Sequence, residues 1–133
     1  MKGQYAVALA IAGFGLGAIT TQGLHAQSKA PVYLVTEITV SNPEAYGKEY
    51  APKAQASIKA AGGKQIAIGG AGGAGASTIT AVEGEAPKRA VIQVWDSLEK
   101  MQAWRNGAAY KEARTIGDKY AKFRSYAVEG MSQ

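Results

Sequence analysis

The sequence has no cysteine among its 133 residues, and its one histidine, His25, lies near the N-terminus. No disulfide can staple the fold, and no thiolate can ligate a metal or attack a substrate. Beyond His25 no imidazole remains for zinc, for a Ser-His-Asp or Cys-His pair, or for general-base work. Proline is scarce, at four, and phenylalanine scarcer, at two; the aromatic load falls on seven tyrosines and two tryptophans. A membrane-length apolar run is also missing. The N-terminal one, from about Tyr5 to Ile19, is broken by Gly13, Gly15 and Gly17 and falls short of the roughly 20 residues that span a bilayer.

That run has another reading. Lys2 precedes it and a polar stretch ending in Leu24-His25-Ala26 follows, the order of a cleavable secretory signal with a small residue at the cut. Cleavage after Ala26 removes one lysine and the histidine and leaves 107 residues, with 14 Lys and Arg against 10 Asp and Glu. The expected location is periplasmic or secreted, with no stable membrane anchor after cleavage and no cysteine near the cut to carry a lipid. Residues 27–31 read as a flexible lead-in and 32–130 as a single domain, large enough for an adequate core. The formal charge of +5 is modest. Lys88, Arg89, Lys119, Lys122 and Arg124 are candidates for a basic patch toward anionic surfaces, while interspersed acids and export argue against a nucleic-acid partner.

Alternation in PVYLVTEITV puts Val32, Leu34, Ile38 and Val40 on one face of a strand, with Tyr33, Val35, Glu37 and Thr39 on the other. A helix follows: Ser41 or Asn42 as cap, Pro43 in the first turn, Tyr46 and Tyr50 on one face, Pro52 as a kink or split, and Gly62-Gly63 as the stop. KQIAIGG reads as a short strand, STITAVEG as another, and RAVIQVWDS as a sheet-interior strand. Ser97 caps a helical region that Asn106-Gly107 interrupts, and KFRSYAVEG is a last strand. The order β-α-β-(β)-β-α-β predicts an α+β fold, a ferredoxin-like βαββαβ sandwich with an antiparallel sheet. Helices cover one sheet face; the other is half apolar and needs a cover, which a second subunit would supply as a dimeric α+β barrel.

Gly70, Gly72 and Gly75 fit G-x-G-x-x-G, the dinucleotide fingerprint. The fingerprint works only where its glycines lead into a helix whose amides hold pyrophosphate. Here STITAVEGE follows, with strand chemistry, and G-K-[ST] is absent. Seven glycines between positions 62 and 75 make a chance match ordinary, so the stretch reads as a hairpin loop. No cofactor and no metal are expected.

The opening strand, N-P-E-A-Y, A-G-G before a short strand, V-E-G, K-R-A-V-I, the late Tyr110 and the closing V-E-G at Val128 to Gly130 resemble, in order and spacing, the domain-of-unknown-function 1330 family. The likeness runs from about Val32 to Gly130. It implies a small ferredoxin-like α+β barrel and a homodimer, and supplies little about activity. The chain departs from the family's Glu-Phe-Pro at the end of the third core strand, where it has Val94, Trp95 and Asp96. It also has Gly117 where members often carry an arginine seven residues after the tyrosine, with Arg114 one turn earlier. Any site those charges build elsewhere in the family is in doubt here.

The candidate ligand-binding residues are Glu37, Tyr46, Tyr50, Arg89, Trp95, Trp104 and Tyr110. Each has a plainer alternative. Glu37, mid-strand, is an acid or base if buried, and otherwise solvated or ion-paired. Tyr46 and Tyr50 present hydroxyls to a pocket or pack helix on sheet. Trp95 and Trp104 form an aromatic wall or simply core. Arg89 binds an anion at a strand start or is a solvated turn charge; Lys111 and Arg114 read as surface charges. No catalytic residue is assigned. Three functions follow: a homodimer that binds a small apolar or aromatic ligand without turning it over, a structural or interaction module of the envelope, and, by fold analogy alone, a cofactor-independent monooxygenase- or isomerase-like enzyme.

Overall fold

The computed structural model describes residues 30–70 and 76–132; the expected signal segment, 1–26, and residues 71–75 of the glycine loop lie outside the described residues. Residues Pro31–Met131 form one compact unit. Strand β1 (Val32–Val40) leads into a short turn α1 (Pro43–Ala45), a π-helical turn (Tyr46–Tyr50) and helix α2 (Ala51–Ala60). Strands β2 (Lys64–Gly70) and β3 (Arg89–Trp95), helices α3 (Leu98–Asn106) and α4 (Ala108–Gly117), and strand β4 (Ala121–Glu129) follow. The sheet order is β2-β3-β1-β4, with every neighbouring pair antiparallel. This is the α+β, ferredoxin-like arrangement that the element order predicts.

The local signals act as their chemistry requires. Asn42 is the first cap, its side chain accepting from the Ala45 N–H at 3.1 Å, and Ser97 caps α3 in the same way on Lys100. Pro52 has no N–H to donate within the helix, and the ladder widens just ahead of it: the Ala51 N–H reaches back to the Tyr46 carbonyl, closing a π turn. At the end of α2 the Gly63 N–H bonds to Ile58 O and the Gly62 N–H to Lys59 O, with Gly62 at φ +94, a Schellman stop open chiefly to glycine. Gly107 separates α3 from α4.

One feature differs from the sequence reading and a second adds to it. STITAVEG forms no strand. Ser77 makes one isolated parallel bridge to Gly69, and Val82 is 97% exposed. A parallel neighbour needs a crossover of a dozen or more residues, and the few between Gly70 and Ser77 cannot supply one, so pairing stops at a single bridge. The second is a bulge in β2 between Gln65 and Ala67. It turns Gln65 and Ile68 toward the helices and leaves Ile66 exposed, where simple alternation would have set the two isoleucines on one face.

Gly70 shows why glycine stands where β2 leaves the sheet. Its φ is +103, and a Cβ there would lie 2.1 Å from the Lys88 carbonyl oxygen. The first glycine of the apparent fingerprint is therefore a packing requirement. Gly70→Ala is expected to destabilise the fold by about 2–3 kcal/mol, through φ strain and the backbone clash; urea unfolding with an unchanged slope and a lower midpoint is the check.

Two packed clusters join the layers. Val32, Leu34, Ile58, Trp95, Met101 and Trp104 form one, and Ile38, Tyr46, Val91 and Ala121, flanked by Tyr50 and Phe123, form the other. The opposite sheet face carries two apolar rows across β3, β1 and β4: Ile92, Val35 and Tyr126, then Val94, Tyr33 and Val128. Tyr126 and Val128 are 45% and 53% exposed.

Candidate binding cavity between helices and sheet

A cavity of about 50 Å³ lies between the two clusters. Its floor is the helix-facing side of the sheet, Leu34, Ile38, Val91 and Arg89 among others, and its roof is the π turn, α2 and α4. The enclosed space suits a few water molecules or a small polar head, below the roughly 300–1,000 Å³ of a typical small-molecule pocket. Its walls continue to exposed residues, Gln55 and Ser125, so a longer ligand has a way out.

Tyr46, Tyr50, Arg89, Trp104 and Tyr110 all line this space. The π turn sets the Tyr46 and Tyr50 rings 5.0 Å apart, and Phe123 meets Tyr50 edge-on at 5.4 Å. Trp104 packs against Tyr110 at 4.6 Å and donates its Nε1–H to Ser57 Oγ at 3.1 Å. Two of the sequence candidates stand elsewhere. Glu37 is on the opposite sheet face, where its carboxylate accepts from Arg124 Nη1 at 3.1 Å, the ion-paired alternative. Trp95, 1% exposed, lies behind Trp104 in the core and does not line the cavity; its Nε1–H donates to Gln93 Oε1 at 3.0 Å.

Arg89 requires the largest correction. It is neither a turn charge nor part of a surface patch but is 5% exposed, the first residue of a central strand facing the helices. Its guanidinium carbon is 5.3 Å from the Tyr46 ring centroid, and its Nε and Nη1 are buried without a hydrogen-bond acceptor among the described residues. Burial of this residue follows from strand register: Arg89 lies opposite Ile38 and Gly70, so it points to the face that Ile38 points to.

Sequence reasoning missed Arg114 and Phe123. Arg114 lines the cavity, lies 4.0 Å over the Phe123 ring, and donates to the Tyr110 hydroxyl at 3.1 Å and to Asp118 Oδ1 at 2.7 Å. The four-residue spacing from Tyr110 was the available signal, since i and i+4 share a helix face. At Gly117 an added Cβ would fall 2.7 Å from the Tyr50 ring, so an arginine there has no room while Tyr50 keeps this position.

Burial pushes the Tyr50 hydroxyl pKa far up, with neighbouring Tyr46 and Tyr110 adding to the shift. Burial raises Tyr46 too, with the Arg89 charge and its hydrogen bond pulling the other way. Both phenols are neutral donors at ordinary pH, not bases. The unfolded chain releases these protons near the ordinary value of 10.0 and the folded protein only above it, so their stabilisation is complete below pH 10 and falls as pH rises through that window. Stability is expected to drop above pH 10, and less steeply in Tyr50→Phe; urea midpoints across pH 8 to 12 are the measurement. Among the described residues no group of three His, Cys, Asp or Glu side chains is placed to hold a metal ion.

The family model for a domain of unknown function, number 1330, matches residues 31–131. The chain belongs to that family. Among solved structures, the fold is similar to a protein of unknown function from Rhodopseudomonas palustris, 14% identical with a TM-score of 0.58, covering 87% of this chain and 94% of that one. It is also similar to SnoaB from Streptomyces nogalater, a cofactor-independent oxygenase, at 13% identity and a TM-score of 0.54, covering 78% of this chain and 96% of SnoaB. A candidate antibiotic biosynthesis monooxygenase from Nitrosomonas europaea matches at 14% identity and a TM-score of 0.55, covering 78% and 93%. At these identities the likeness shows the fold. A search of curated proteins finds no match.

Proposed function

We propose that this family member is an exported homodimer that binds a small ligand between its helices and its sheet without transforming it. The observation that carries the reading is the cavity itself, walled by Tyr46, Tyr50, Trp104 and Tyr110 and opening toward Ser125. Aromatic walls with a few convergent polar groups are what small-molecule sites are made of. The two neutral, raised-pKa tyrosines offer donors rather than a general base, which favours binding over proton abstraction.

The dimer part rests on the second sheet face. Two apolar rows across three strands cannot be covered by the helices, which occupy the other side, and a sheet face of this kind is stable when packed on another layer. The Glu37–Arg124 pair borders the rows and offers a polar rim. The oxygenase fold of SnoaB supports an enzymatic reading only by analogy of architecture.

Trp104 provides the readout. Titration of small aromatic compounds is expected to change tryptophan emission, with the response lost in Trp104→Phe. Absence of any response across such a set, in a folded protein, would remove the binding reading.

A further inference from the structure

This inference rests on the small-ligand reading of the cavity and concerns the charge that its buried arginine demands. A guanidinium remains ionised at every ordinary pH. Burying one without an anionic partner is strongly unfavourable, so buried arginines are normally found against carboxylates. Arg89 is 5% exposed, and its Nε and Nη1 have no acceptor among the described residues.

The surroundings do not compensate. Among the described residues the charged ones of the cavity wall are Arg89, Arg105 and Arg114, and no aspartate or glutamate lines it. Arg114 has its own carboxylate in Asp118. Tyr46, next to Arg89, is a neutral phenol whose hydrogen bond to the guanidinium and ring face, 5.3 Å away, together offset only part of a full charge and leave Nε and Nη1 open. The wall is therefore cationic, with two buried donors left open.

We propose that the cavity takes a small organic carboxylate, its anionic oxygen accepting from Arg89 and its apolar body resting on Tyr46, Tyr50 and Trp104. Arg89 is then a binding residue kept in an unfavourable state until the ligand arrives, and Arg105 and Arg114 bias the approach toward anions.

The test compares propionate and benzoate with their neutral isosteres, propionamide and benzamide, by calorimetry on the full-length folded protein in chloride-free buffer. Two sizes are used so that a cavity too small for the ring still reports. The expected result is at least tenfold tighter binding of one carboxylate than of its amide, with that preference abolished in Arg89→Met and partly kept in Arg89→Lys. Arg89→Met is also expected to raise the melting temperature of the ligand-free protein, because it removes an uncompensated charge. Equal binding of acid and amide would overturn the anion assignment while leaving the cavity as a ligand site. Binding of neither, in a folded protein, would overturn both. A lower melting temperature for both Arg89 variants would mean that bound water satisfies the guanidinium and that Arg89 is structural.

Discussion

Trp95→Ala is expected to cost about 3–5 kcal/mol of stability, a large share of the 5–15 kcal/mol that a domain of this size possesses. Trp95 is 1% exposed and is one of the two largest fully buried side chains. Its ring lies 5.1 Å from Trp104, and the neighbouring chain is so close that a Cβ on Gly63 would come within 2.5 Å of it. Truncation removes the contact with Trp104, opens a void that β3 and α3 are too constrained to fill, and leaves Gln93 Oε1 without its donor. Trp95→Phe separates these contributions: it keeps most of the volume and loses the hydrogen bond, for about 1–2 kcal/mol. Urea midpoints of the three proteins decide it. A loss under about 1 kcal/mol in Trp95→Ala would mean that the two layers are not joined at this residue.

The second large effect concerns assembly. Val128→Asp is expected to weaken the proposed dimer by about 3 kcal/mol, more than 100-fold in Kd, while leaving the monomer fold almost unchanged. The asymmetry follows from position. Val128 is 53% exposed on the single chain, so a carboxylate there remains in water and costs little. Packed against a second sheet, the same carboxylate would be desolvated among Tyr33, Val94 and their copies. Sedimentation across a concentration series should show the variant as a monomer where the parent is a dimer. A parent that sediments as a monomer at every concentration would remove the dimer reading.

The element order was legible because each strand and helix carries a local signal. Val32 to Val40 alternate cleanly, and both faces of β1 match that alternation. Asn42, Ser97 and Gly62 act locally as caps and stops, so their chemistry needs no knowledge of the fold. What was not legible depends on partners distant in sequence. STITAVEG has strand composition, but a strand exists only if a neighbour offers an edge in a reachable direction, and that is a property of topology. The bulge at Ile66 is likewise set by how β2 meets β3.

The site divides in the same way. Tyr46 and Tyr50 were readable from their four-residue spacing. The burial of Arg89 is hidden in the sequence, because the preceding Pro87-Lys88 suggests a turn and only the register with Ile38 turns the side chain inward. Strand parity sets Glu37 on the face opposite Leu34 and Ile38, away from the site, and its partner Arg124 lies 87 residues away.

The space between helices and sheet is proposed as a ligand site. Native mass spectrometry of the full-length gene product, purified gently and without added ligands, tests it most directly. The result expected is a dimer carrying the extra mass of one small organic acid per subunit, released when Arg89→Met is introduced. A dimer of bare polypeptide mass, together with no mass gain on incubation with propionate or benzoate, would contradict it.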